Sequence, residues 1–130
     1  MRVRALVIAV LVGTLAAATH VAAQPLTPLF PGWERYFAVS WEPFDRRGQP
    51  YLSGYIVSSY GVTASRVQLL VDSLDSSGRI VTQRVEWLGG SNLPGFSRTY
   101  FEVPIRQQAS SYRVSVFAFD FVQSAGIQSP

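Results

Sequence analysis

The sequence predicts an all-β protein: an immunoglobulin-like, antiparallel two-sheet sandwich of six to seven strands, preceded by a helical signal peptide. Three observations carry this. Segments of period-two alternation, rich in aromatic and β-branched residues, recur every 10–15 residues. Clusters of Gly, Pro, Asn, Asp and Ser separate them. No segment after residue 23 has helical periodicity, and no internal repeat is visible, so strands of this number and spacing point to a sandwich.

The start of the chain stands apart. Arg2 and Arg4 precede an apolar run from Ala5 to Ala18, and Val21-Ala22-Ala23 supplies small residues before Gln24-Pro25. This layout predicts a secretory signal peptide over 1–23, cleaved after Ala23, and an exported protein, whether periplasmic, cell-surface or extracellular. The apolar run is short for a spanning helix, which needs about 20 residues. Membrane association is expected only if the leader is kept. No lipobox cysteine follows the leader, and the 130 residues contain no Cys at all, so the domain must be held by its core.

Residues 24–32, QPLTPLFPG, read as an extended, proline-rich lead-in whose Leu29 and Phe30 tuck against the domain edge. The sandwich is expected over 33–122. Its first strand is Trp33 to Trp41, with Trp33, Phe37, Val39 and Trp41 on one face. Pro43 to Pro50 reads as a loop around Gly48. Tyr51 to Tyr60 is the second strand, in which Leu52, Gly54, Ile56 and Ser58 share one face and Tyr51, Tyr55 and Val57 the other. Gly54 inside a strand marks a bulge or a close backbone approach.

Arg66 to Val81 is the organising hairpin. Val67, Leu69 and Val71 point one way while Leu70 and Leu74 point the other, the pattern of a central strand covered on both sides. Asp75-Ser76-Ser77-Gly78 has the residues of a type I turn followed by a left-handed glycine. Arg79 to Leu88 returns as a more polar strand, and Gly89 to Gly95 breaks it from the next. Phe96 to Ile105 is a strand in which Pro104 indicates an edge or an end. Tyr112 to Phe121, apolar on both faces between Val114 and Phe119, reads as a second central strand, and 123–130 as a tail.

Residues Leu52 to Phe119 resemble the FxLYD-type domain of bacterial and archaeal exported proteins. Gly54-Tyr55-Ile56-Val57-Ser58 stands where that family has Gly-x-Val-x-Asn, and Val67 to Val71 matches its central strand. Leu74-Asp75-Ser76-Ser77-Gly78 is similar to the Leu-Tyr-Asp-x-x-Gly ending, and Leu93-Pro94-Gly95 with Phe101-Glu102-Val103 to the last part. Two departures are Ser58 in place of Asn and the absence of a Tyr between Leu74 and Asp75. The resemblance implies an immunoglobulin-like sandwich and no activity, since many unrelated functions share such folds.

The chemistry is bounded mainly by exclusion. His20, the single histidine, lies in the leader, so residues 24–130 carry neither His nor Cys and no Ser-His-Asp, Cys-His or ordinary zinc machinery. Glu34 and Glu42 share a face of the predicted first strand at about 26 Å, far beyond the roughly 5–9.5 Å of a glycosidase pair. Asp75 reads as a turn cap and Asp72 as a solvated strand residue, without the run of oxygen ligands of a calcium loop. No catalytic, metal or cofactor site is predicted. The chain has 11 arginines, no lysine and eight acids. Without the leader nine arginines face eight acids, a formal +1 with alternating signs, which is no nucleic-acid footprint.

The aromatic residues are the one positive lead. Trp33, Tyr36, Trp41, Tyr51, Tyr55, Tyr60 and Trp87 either fill the core or build an interaction surface. Tyr51, Tyr55 and Trp87 share faces with polar neighbours and are the expected exposed ones. The function this predicts is a non-catalytic module of the cell envelope acting through an envelope protein or polysaccharide. The alternative is a small carbohydrate-binding protein using an exposed aromatic face.

Overall fold

A computed structural model describes residues 24–90 and 92–122. The predicted signal peptide (1–23) and the predicted tail (123–130) lie outside the described residues. Seven strands are described: β1 (Phe37–Arg46), β2 (Gln49–Ser58), β3 (Ala64–Leu74), β4 (Ile80–Trp87), β5 (Asn92–Leu93), β6 (Arg98–Pro104) and β7 (Ser111–Phe121). One sheet has the order β1-β2-β6; in the other β3 pairs with β4, β5 and β7, and every pairing is antiparallel. The predicted two-sheet β-sandwich is therefore the fold. The sheet β1-β2-β6 faces the sheet built on β3; among the described residues no strand follows β7 on its free side.

The core is what the alternation dictates. Leu52, Ile56, Phe101 and Val103 from the first sheet meet Val67, Leu69, Val114 and Val116 from the second. Ala64, Leu88 and Leu93 close one end. None of Trp33, Tyr36, Trp41, Tyr51, Tyr55, Tyr60 and Trp87 is fully buried; among the described residues the buried aromatics are Phe37 and Phe101. A cluster of Phe30, Tyr36, Phe37, Tyr60, Phe119 and Phe121, with neighbouring centroids 4.9–6.4 Å apart, mostly edge to face, seals the β1/β7 side. Such pairs each contribute about 0.5–1.5 kcal/mol beyond the area they bury. Trp41 adds a tie there, its indole N–H donating to the Tyr112 carbonyl at 2.9 Å.

Several expected boundaries move, each for a local reason. Trp33–Arg35 is a 3₁₀ turn entered through Gly32 (φ 87°), so the first strand begins at Phe37 and Glu34 is not on it. The Pro43–Pro50 loop is instead strand on both sides of a two-residue turn. Arg47 (φ 52°) and Gly48 (φ 80°) both take left-handed geometry, as a type I′ hairpin requires. Pro43 is tolerated because β1 is an edge strand, and Pro104 ends β6, the opposite edge. Among the described residues β7 pairs only with β3; a register shift around Phe117 brings Phe119 and Phe121 against the same core as Val114 and Val116, so the run of apolar residues does not mark two covered faces.

Gly54 is a close approach without a bulge. A Cβ there would sit 1.8 Å from the Ser40 carbonyl oxygen, and the β1–β2 register runs unbroken past it. The β3–β4 turn forms as its residues predict. Asp75 accepts from the Ser77 N–H, the Ser77 hydroxyl and the Arg79 N–H at 2.9, 2.6 and 2.9 Å, and Gly78 has φ 83°. The Ser77 hydroxyl bond, followed by the Arg79 N–H, holds the Asp75 carboxyl below its ordinary value.

Candidate interaction surface

Strand alternation gives each sheet an outer face, and the two faces differ. On the first sheet the cross-strand rows are Ala38–Val57–Arg98, Ser40–Tyr55–Tyr100, Glu42–Ser53–Glu102 and Phe44–Tyr51–Pro104. Neighbours in a row stand close enough to touch. Tyr55 and Tyr100 meet edge to face at 5.4 Å and 61°, and remain 38% and 48% exposed. The Arg98 guanidinium lies 4.4 Å above the Tyr55 ring, a cation–π contact.

The other half of the face is built the same way. Phe44 and Tyr51 pack at 5.5 Å, and the Arg46 guanidinium covers both, 5.4 and 5.6 Å from their centroids. Arg46 also pairs with Glu102, whose Oε1 accepts from the Tyr100 hydroxyl at 2.9 Å. That bond, together with partial desolvation, pushes the Tyr100 phenol above its ordinary value, because an ionised phenolate would face the carboxylate. The result is two ring pairs, each under an arginine and linked through Glu102: Tyr55 and Tyr100 are exposed, while Phe44 and Tyr51 are half-buried.

Of the residues expected to be exposed, Tyr55 is exposed on this face, while Tyr51 lies on the same face but is half-buried because it packs against Phe44 under Arg46. Trp87, 62% exposed, is on β4 opposite Gln68 and belongs to the outer face of the other sheet, so the three make no single patch. Phe44, Arg98 and Tyr100 were missed by sequence reasoning. Tyr100 and Glu102 did carry a signal, alternating against the core residues Phe101 and Val103. Their register with Tyr55 depends on pairing between strands 40 residues apart.

The acids do not converge. Glu34 sits in the 3₁₀ turn and Glu42 on β1. Asp72 is corrected from solvated to buried: it is 2% exposed, accepts from Arg113 Nε and Nη2 at 3.0 and 2.7 Å and from Gln83 Nε2 at 2.9 Å. Among the described residues no group of three or more His, Cys, Asp or Glu could hold a metal ion. Between the β4 and β6 edges lies a cavity of about 300 Å³, lined by Val71, Thr82, Arg84, Val103 and Tyr112 among others. Arg84 points into it, pairs with Glu86 and reaches the Pro104 carbonyl at 3.4 Å. Inward charges on an edge strand discourage edge-to-edge association.

No family model, curated protein or solved structure matches this chain.

Proposed function

We propose that the protein is a non-catalytic, exported β-sandwich module that binds a protein partner in the cell envelope through the outer face of β1–β2–β6. The single observation that supports this reading is the exposed Tyr55–Tyr100 pair under Arg98, linked through Glu102 and Arg46 to the half-buried pair Phe44–Tyr51. Aromatic and arginine side chains are enriched where protein interfaces carry most of their energy, and these are already held in place by cation–π and ion-pair contacts. Little side-chain entropy remains to be lost on binding. The leader layout over 1–23 supports the location, and the FxLYD-like pattern is compatible with it.

The carbohydrate reading is the second. It asks for two or three rings lying flat in a row, whereas Tyr55 and Tyr100 stand at 61° to each other. Only the isolated Trp87 favours it, and a glycan array probed with wild type and Trp87→Ala tests that arm. The main reading is tested by affinity purification of wild type and the Tyr55→Ser/Tyr100→Ser double variant from the native envelope, with mass spectrometry of what is retained. A protein retained by wild type and lost from the variant is expected. Identical retention by both would contradict the assignment of this face.

A further inference from the structure

The outer face of the second sheet holds an extended peptide, and the peptide is the protein's own residues 25–30. Its main chain is read by a side chain: the Leu26 N–H donates to Gln83 Oε1 at 2.7 Å, and Gln83 Nε2 donates to the Leu26 carbonyl at 2.9 Å. The same Nε2 donates to Asp72 Oδ1, and Asp72 is fixed from the other side by Arg113. Gln83, Asp72 and Arg113 stand in register across β4, β3 and β7, so three strands orient one carboxamide. Three residues further on, the Leu29 N–H donates to the Phe117 carbonyl at 2.8 Å on the free side of β7.

Both bonded donors directly follow a proline, in the sequence Pro25-Leu26-Thr27-Pro28-Leu29. A repeat of three is the period of a polyproline II helix, which places equivalent groups on one side and is stiffened in advance by proline. The groove thus selects an extended, proline-spaced main chain. Two of its side chains fit it poorly. Leu26 and Leu29 remain 45% and 68% exposed, whereas Phe30 packs on Tyr36 and Phe119, and a cavity of about 310 Å³ lies where Pro25, Leu26 and Pro28 meet Leu70, Asp72 and Arg113.

We propose that this face is a docking groove for an extended, proline-spaced segment of a protein partner, and that residues 25–30 are a placeholder which such a segment displaces. A tethered segment competes at an effective concentration in about the millimolar range. A displacing partner must therefore fill the cavity better than the resident leucines do. Gly32, at φ 87°, begins the turn that joins the placeholder to the body and is the joint about which it swings away.

The test uses the full chain carrying Leu26→Pro, in which residue 26 has no N–H to give Gln83. It is titrated with a fluorescein-labelled QPLTPLFP peptide. At least tenfold tighter binding than to wild type is expected, because the resident segment no longer competes. Adding Gln83→Leu should weaken that binding at least tenfold. If the double variant does not fold, ¹⁵N shifts in the Leu26→Pro chain decide the matter: changes at the Gln83 carboxamide, Arg113 and Phe117 support the groove. No binding at 1 mM peptide, equal affinity for wild type and Leu26→Pro, or shifts confined to β1–β2–β6 would overturn it. A wild-type dimer that Gln83→Leu dissociates would assign the groove to a second copy and overturn it too.

Discussion

The two outer faces of this sandwich start from the same alternation and end differently. On β1–β2–β6, outward residues are rings and charges that satisfy one another sideways, and the face stays bare. On β4–β3–β7, outward residues include Leu70 and Asp72, both nearly inaccessible, because residues 25–30 lie across them. A buried carboxylate is costly unless paired, and Arg113 and Gln83 pair it. The contrast teaches that outward direction on a strand does not settle exposure; a six-residue segment outside the sheets does.

The largest effect expected on this comparison is from Gly54→Ala. The new methyl meets main chain at 1.8 Å, which no rotamer relieves, so β1 must leave β2 and the bare face is lost with it. A loss of about 3 kcal/mol or more in urea unfolding is predicted. Asp72→Ala strikes the covered face. Removing one member of a buried pair costs about 3–5 kcal/mol when both are buried, but Arg113 is half exposed, so about 2–3 kcal/mol is expected by the same measurement. Arg47→Gly relieves a non-glycine residue in left-handed geometry and should raise stability by about 0.5–1 kcal/mol, read as a higher urea midpoint.

Tyr55→Ser with Tyr100→Ser removes the exposed ring pair and its cation–π contact. Stability should fall by about 1 kcal/mol, while partner retention disappears. A drop comparable to that of Asp72→Ala would mean these rings are structural. The turn at Asp75 offers a control away from both faces. Its carboxyl is held below the ordinary 3.8, so its contribution is complete above that pH and fades as pH falls through the folded value. Acid titration of Asp75→Asn should show a shallower loss of stability below pH 4 than wild type.

What could be read from the sequence follows the range of the interaction. The Asp75–Gly78 turn, the inward set Leu52, Ile56, Val67, Leu69, and the close approach at Gly54 are local or period-two features, and they were legible. The Arg47-Gly48 hairpin was obscured because Pro43 and Pro50 suggest a loop; their tolerance depends on which strands are edges. Asp72 was misread because its cover, Leu26 and Gln83, lies 46 and 11 residues away in the chain. Half of the bare face was legible as Tyr51 and Tyr55. Its other half, Tyr100 and Arg98, required the β2–β6 pairing, and the separation of Trp87 from Tyr51 and Tyr55 follows from its β3–β4 pairing in the other sheet.

Site-specific photocrosslinking tests the central claim most directly. A photoreactive phenylalanine analogue is placed at Tyr100 on the bare face or at Trp87 on the opposite sheet, and each chain is irradiated in its native envelope. The account predicts a discrete crosslinked species from position 100 that is absent from position 87. Crosslinks from 87 alone, or the same species from both, would contradict it.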